Sequence, residues 1–237
     1  MKSTTFRFKK FEMNNSASGL KIGTDGILLG AWADVGGGNH VWDVGCGTGL
    51  IALMLAQRYD CHFSAIEIER DAADEAEGNI ARSPWKERIK LIHGNISDVA
   101  ASLPAPDSIV SNPPYYASGK SIEAGNQKRD TARRDSSLCF ASLIALASLY
   151  LRPEGNLFLI SPFDRKADIE WEATLRGLHV RKCTPVITKE SAKPSRILWH
   201  ISRVSGPTVT DRLLVRDAAG NYTDEFKTLT KDYYLNF

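Results

Sequence analysis

The sequence has few cysteines, no strong charge of either sign and no long apolar run, and each shortage removes a class of protein. Its four cysteines, Cys46, Cys61, Cys139 and Cys183, form no CxxC pair and no regular framework. That argues against a metal site or a disulfide scaffold and fits a reducing cytoplasm. The five histidines, His40, His62, His93, His179 and His200, show no ligand spacing, so no metal is required. A net charge of +2 is too small to imply a polyanionic partner by its total; only a concentrated positive face would do so. The most apolar run, residues 138–151, is broken by Ser142 and Ser148 and falls short of the roughly 20 residues that cross a bilayer. The opening MKSTTFRFKKFEM is basic but lacks the apolar stretch of a signal peptide. A soluble, cytoplasmic protein without membrane association is expected. With no internal repeat and no Pro/Ser-rich linker, residues 1–237 are expected to form a single domain, with an N-terminal extension at 1–35 and a C-terminal tail at 205–237.

What is present is a rhythm. Residues 1–23 alternate aromatic and basic side chains (Phe6, Phe8 and Phe11 against Arg7, Lys9 and Lys10), which suits a short strand or an extended arm. Thr24 or Asp25 is placed to cap the apolar stretch from Ile27 to Trp32, and Gly36-Gly37-Gly38 ends it. From Val41 onward, short apolar strands at 41–44, 63–66, 89–93, 108–111 and 156–160 alternate with helices at 49–58, 71–82, 136–151 and 165–176. Such alternation predicts a parallel sheet covered on both faces and doubly wound by right-handed crossovers. Beyond residue 177, stretches 180–188 and 197–204 are joined by KESAKPS with no helix between them, which predicts an antiparallel hairpin closing one edge of the sheet. The expected fold is α/β, a doubly wound, mostly parallel seven-stranded sheet with an antiparallel C-terminal hairpin. The tail adds Leu213–Val215, a Gly220-Asn221 turn and a helical pattern at 224–230.

The segment Asp43-Val44-Gly45-Cys46-Gly47-Thr48-Gly49 ends a strand and opens a helix. Glycines there permit a tight turn and let backbone approach a ligand closely. The GxGxG spacing, with an acid two positions before the first glycine, differs from the GxGxxG that receives a pyrophosphate in dinucleotide folds. It resembles the first motif of the class I S-adenosylmethionine-dependent methyltransferases. That resemblance implies a Rossmann-like methyltransferase fold, a loop backbone (Gly45, Gly47, Gly49) lying against the amino-acid part of S-adenosylmethionine, and an Asp43 that helps hold it. The next strand ends in Glu67, 22 residues after Gly45, close to the about 20 expected of a carboxylate that accepts hydrogen bonds from ribose hydroxyls. Ile68 would then pack on the adenine. Glu69 and Asp71 are read as acids favouring a helix start. Asn95 stands where many relatives of the resembled class carry an Asp against the adenine amine; its amide oxygen could accept the same hydrogen bond, and Asp98 is an alternative.

Asn112-Pro113-Pro114-Tyr115 follows the fourth strand, at the sheet edge where doubly wound folds bind ligands. Two prolines fix φ and remove two donors, so the Pro113 carbonyl can be held in a set direction beside the Asn112 side chain. Two acceptors gripping the hydrogens of a conjugated exocyclic amine would favour a pyramidal nitrogen and stabilise positive charge developing on it. Tyr115 can stack on a flat base or amide. The tetrapeptide resembles the fourth motif of amino-methyltransferases acting on adenine N6, guanine N2 or glutamine N5, and so implies the kind of nitrogen rather than the substrate.

Residues 117–135 contain one aliphatic side chain larger than alanine, Ile122, and are expected to form a substrate lid. Lys120, Lys128, Arg129, Arg133 and Arg134 in this stretch, Arg181, Lys182, Lys189, Lys193 and Arg196 in the hairpin, and Lys2, Arg7, Lys9 and Lys10 give three basic patches. Their shared placement at the open end of the site suits a phosphate backbone. Longer stretches, KIGTDGILLGAWA, NPPYY and YTDEFKTLTKDYYLNF, together resemble the bacterial methyltransferases that modify N6 of adenine 37 in valine tRNA. The resemblance implies that Thr24 and Asp25 border the cofactor and that positive surfaces, with Lys128, Arg129, Arg133 and Arg134 as candidates, bind tRNA near the anticodon; no obligate protein partner is expected. A protein glutamine N5-methyltransferase and a noncatalytic RNA-binding protein with a retained cofactor fold are the alternatives. Intact Asp43, Glu67 and Asn112 argue against the second.

Overall fold

The computed structural model describes residues 5–15, 22–114 and 140–236. Strands β1 (Thr5–Arg7) and β2 (Glu12–Asn14) pair antiparallel, followed by α1 (Thr24–Trp32), β3 (His40–Val44), α2 (Leu50–Arg58), β4 (His62–Glu67), α3 (Arg70–Arg82), β5 (Ile89–His93), α4 (Ile96–Val99) and β6 (Ser108–Ser111). After the undescribed stretch come α5 (Phe140–Tyr150), β7 (Asn156–Pro162), α6 (Lys166–Leu175), β8 (His179–Ile187), β9 (Arg196–Ser202), β10 (Val209–Thr210), β11 (Leu213–Leu214) and α7 (Asp224–Thr230).

Among the described residues a nine-stranded sheet runs in the order β10-β8-β9-β7-β6-β3-β4-β5, with β11 also paired to β8. From β5 to β7 every neighbouring pair is parallel, and β9 is antiparallel to both β7 and β8. The seven longer strands are the expected ones. The hairpin, however, does not end the sheet: β10 and β11, two residues each and too short to leave a sequence pattern, add in parallel to β8. The order reverses between β3 and β6, and such a reversal leaves a crevice at the carboxyl ends of the strands.

The central strands β3, β6 and β7 are buried almost throughout, because each side of the sheet there meets a helical layer. Along β3, Val41 faces one core with Leu53 and Leu55 of α2, while Trp42 and Val44 face the other with Leu143 and Ala147 of α5. Asp43, on the Val41 side, is the one charged residue of this strand and is fully buried. The first core extends outward to Phe8, Phe11 and Met13 of the N-terminal segment and to Phe226 and Tyr233 near the C-terminus.

Of the two expected forms, a short strand or an extended arm, the N-terminal segment takes the first: it is a packed hairpin of two short strands. Phe8 and Phe11 are buried and Phe6 is half-buried, with Phe11 edge-on to Trp85 at 5.7 Å. Two of the segment's cations have partners within the fold: Arg7 pairs with Glu12 at 3.1 Å, and Lys9 donates to the carbonyl of Lys231 at 2.6 Å. The start of α1 also differs from expectation. Gly23 is its N-cap, with no side-chain capping bond, and both Thr24 and Asp25 lie inside the first turn.

Candidate active site

The turn from β3 to α2 is built on glycine because the backbone demands it. Gly45, Gly47 and Gly49 sit at φ of 70°, 56° and 87°, values that strain a residue bearing a Cβ. The amides of Gly45 and Cys46 both donate to the carbonyl of Ile66, at 2.9 and 3.0 Å, which ties the turn to the end of β4. Among the described residues a Cβ built on Gly45 meets nothing within 4 Å, so this side of the loop faces open space among them. Burial pushes the Cys46 thiol well above its ordinary value, with the Asp43 and Glu67 carboxylates adding to the effect.

Beneath the loop, Asp43 Oδ2 accepts the amide of Ala52 in the first turn of α2 at 2.9 Å, whereas Oδ1 is buried with no hydrogen-bond partner among the described residues. Removal from water pushes its pKa up to about 7, against the lowering effect of the Ala52 amide and with the Glu67 charge adding to the rise. Glu67 stands at the tip of β4. Its Oε2 accepts the Gly47 amide at 2.7 Å and its Oε1 the Glu69 amide at 2.9 Å. Each oxygen keeps a second lone pair. Next to it Ile68 leaves 38% of its surface exposed, an apolar ledge beyond the strand end. Asn95 caps α4 by accepting the Ser97 amide at 3.0 Å, and both Asn95 and Asp98 are exposed.

The two motifs meet because β6 lies beside β3. Their register pairs Asp43 with Val110, and the buried Ser111 hydroxyl donates to the carbonyl of Val44 at 2.7 Å across 67 residues of chain. Asn112 thus begins where the glycine loop begins. It is half-buried, Pro113 is buried and Pro114 is exposed. Tyr115, the proposed lid, and Lys120, Lys128, Arg129, Arg133 and Arg134 lie outside the described residues.

A third element reaches this point. Helix α1 carries Gly26 and Gly30 one turn apart, and the pair forms a smooth face against α2: a Cβ at Gly26 would meet Leu50 Cδ2 at 3.0 Å, and one at Gly30 would meet Met54 Sδ at 2.8 Å. The same position on Gly26 lies 3.8 Å from Asn112 Nδ2, so the first turn of α1 forms a wall beside that side chain. Sequence reasoning missed this face, although two glycines at i, i+4 in an apolar helix are its signal. Asp25, in the same turn, pairs with Arg196 of β9 at 2.8 Å. The hairpin cations divide in consequence. Arg181 donates to the carbonyls of Val204 and Ser205, and Lys182 pairs with Asp211 at 2.9 Å, whereas Lys189 and Lys193 stand exposed in the turn between β8 and β9.

A parallel sheet that reverses at a glycine loop, with an acid at the tip of the neighbouring strand and an Asn-Pro-Pro segment beside the loop, defines a Rossmann-like methyltransferase. The model of the methyltransferase small domain matches residues 15–182, and the chain belongs to that family. It is 39% identical over 239 residues to a tRNA1(Val) (adenine(37)-N6)-methyltransferase of Mannheimia succiniciproducens, covering 100% of this chain and 96% of the relative. A protein of the same name from Phocaeicola vulgatus is 38% identical, with 100% of both chains covered. Among solved structures, a predicted O-methyltransferase from Agrobacterium tumefaciens shares the fold, with a TM-score of 0.65 at 21% identity over 88% of this chain and 96% of that one.

Proposed function

We propose that this enzyme transfers a methyl group from S-adenosylmethionine to the exocyclic N6 of an adenine in tRNA, namely adenine 37 of valine tRNA. The observation that carries the reading is the Ser111 to Val44 hydrogen bond, which seats Asn112 at the mouth of the glycine loop. The names borne by relatives alike over the whole chain point to the same base.

The residues fit the cofactor. Open space faces Gly45, the Asp43 and Glu67 carboxylates lie close enough for one to raise the other's pKa, and Ile68 offers an apolar ledge. Two carboxylates converging on one loop suit a ligand that carries positive charge. When bound, S-adenosylmethionine supplies an electrophilic methyl group on its sulfonium. Glu67 would take the ribose hydroxyls on its spare lone pairs, and Ile68 would cover the adenine. The Asn112 side-chain oxygen and the Pro113 carbonyl would accept the two hydrogens of the target amine, draw its lone pair out of conjugation and stabilise the charge that develops on nitrogen. Tyr115 would stack on the base, which an anticodon loop releases at less cost than a duplex does.

The test is incubation with labelled cofactor and either unmodified tRNA or release-factor protein. Label in tRNA, located at N6 of adenine 37, supports the reading; label in the protein alone supports glutamine methylation instead. Asn112→Ala should lower turnover at least 100-fold, since two to four kcal/mol or thereabouts is typical for one preorganised partner of a developing charge, while calorimetry shows cofactor affinity nearly unchanged. Lost cofactor affinity would remove Asn112 from the chemical step.

A further inference from the structure

Helix α1 has no side-chain cap at its N-terminus, yet its first turn forms the wall beside Asn112. Something else must hold it there. At the far end, Arg58 of α2 donates to the carbonyls of Gly30 and Ala33 at 3.3 and 3.2 Å. At the near end, Arg196 Nε donates to Asp25 Oδ2 at 2.8 Å, and Arg196 Nη1 donates to the carbonyl of Ser195 at 3.0 Å. Arg196 is the first residue of β9, held on both sides by strand pairing with Pro162 of β7 and Val186 of β8. The pair joins residues 171 positions apart and is partly buried, with side-chain exposures of 33% and 24%. It ties the N-terminal end of α1 to β9, a strand paired on both sides within the sheet.

We propose that Arg196 is a positioning residue for methyl transfer: through Asp25 it fixes the first turn of α1 against the Asn112 side chain. This rests on the functional reading above. It also gives Asp25 and Arg196 to each other, where a cofactor contact and an RNA contact are the competing assignments. The expected signature is catalytic rather than a loss of binding, because a small displacement of a group that grips the reacting atom lowers the rate of the chemical step while leaving distant contacts intact.

Steady-state methylation of unmodified valine tRNA by Arg196→Gln, Asp25→Asn and the double variant tests this. Each single change should lower kcat about tenfold, with the KM for tRNA and the cofactor dissociation constant within twofold of wild type. The double variant should be no slower than the slower single one, since both remove one interaction. Arg196→Lys, which keeps the charge, should recover part of the lost kcat, and it takes the place of Arg196→Gln if thermal unfolding shows that variant misfolded. A higher tRNA KM and a flatter salt dependence in Arg196→Gln, without the same change in Asp25→Asn, would make Arg196 an RNA contact and overturn the proposal. Weakened cofactor binding in Asp25→Asn alone, or effects that multiply in the double variant, would overturn it as well. Wild-type enzyme that labels no tRNA would overturn the functional reading and this proposal together.

Discussion

Asp43 shows how a single residue ties stability to the glycine loop. A carboxylate whose folded pKa lies near 7, above the ordinary value of 3.8, binds more protons in the folded chain than in the unfolded one between those limits. Its contribution to stability is thus fully present below about pH 4 and is lost as the pH rises through 7. Asp43→Asn keeps an oxygen for the Ala52 amide and removes the buried charge. Melting temperatures of the variant and wild type should converge at acid pH and separate as the pH rises, the variant ending higher by roughly 2–4 °C for each kcal/mol; parallel curves from pH 4 to 8 would refute it. The loop containing this residue was legible in the sequence because φ values near 70° select glycine, and glycine is visible. Ser111 and the Asp25 to Arg196 pair were not, since a serine or an ion pair formed across distant chain carries no local pattern.

Among the elements, α1 depends on closeness. Gly30 is helical, so Gly30→Ala gains about 1 kcal/mol of helix propensity, but its methyl would stand 2.8 Å from Met54 Sδ and 3.1 Å from Met54 Cβ. Overpacking of this kind costs about 1–3 kcal/mol, so a net loss of about 1 kcal/mol is expected in urea unfolding. Met54→Ala opens a cavity at a fully buried site and should cost about 2–5 kcal/mol. In the double variant the new methyl occupies part of that cavity, and the combined loss should fall short of the sum by about 1 kcal/mol. Strict additivity would show that the two residues do not share the space. The strands and helices of the sheet were legible because both periodicities repeat over several units. The N-terminal segment was legible only as a short strand or an extended arm: its aromatic and basic alternation fits both, and packing made the choice, putting Phe8, Phe11 and Met13 in one core with Phe226 and Tyr233 and Phe11 against Trp85.

At the scale of the molecule, charge is sorted by where the strands end. The carboxyl ends of β3, β4, β6 and β7 share one rim, and the antiparallel register of β9 on β7 brings the turn between β8 and β9 to the same rim. Cations that looked equivalent along the sequence are unequal there: Lys182 is spent on Asp211 and lies 5.4 Å from the Trp32 ring centroid, while Lys189 and Lys193 are exposed. An exposed ammonium can displace counterions from a phosphate backbone, and each such contact steepens the dependence of log affinity on log salt by roughly 0.7–0.9. In tRNA titrations from low to moderate salt, the double change Lys189→Ala/Lys193→Ala should flatten the slope by about 1–2 and weaken binding about equally for matched and mismatched anticodon loops. Lys182→Ala should leave the slope unchanged, because its charge is already neutralised by a carboxylate. If Lys182→Ala flattens the slope as much as the double change does, the RNA lies across the outer face of β8 rather than over the rim, and the target base would have to reach Asn112 from that side.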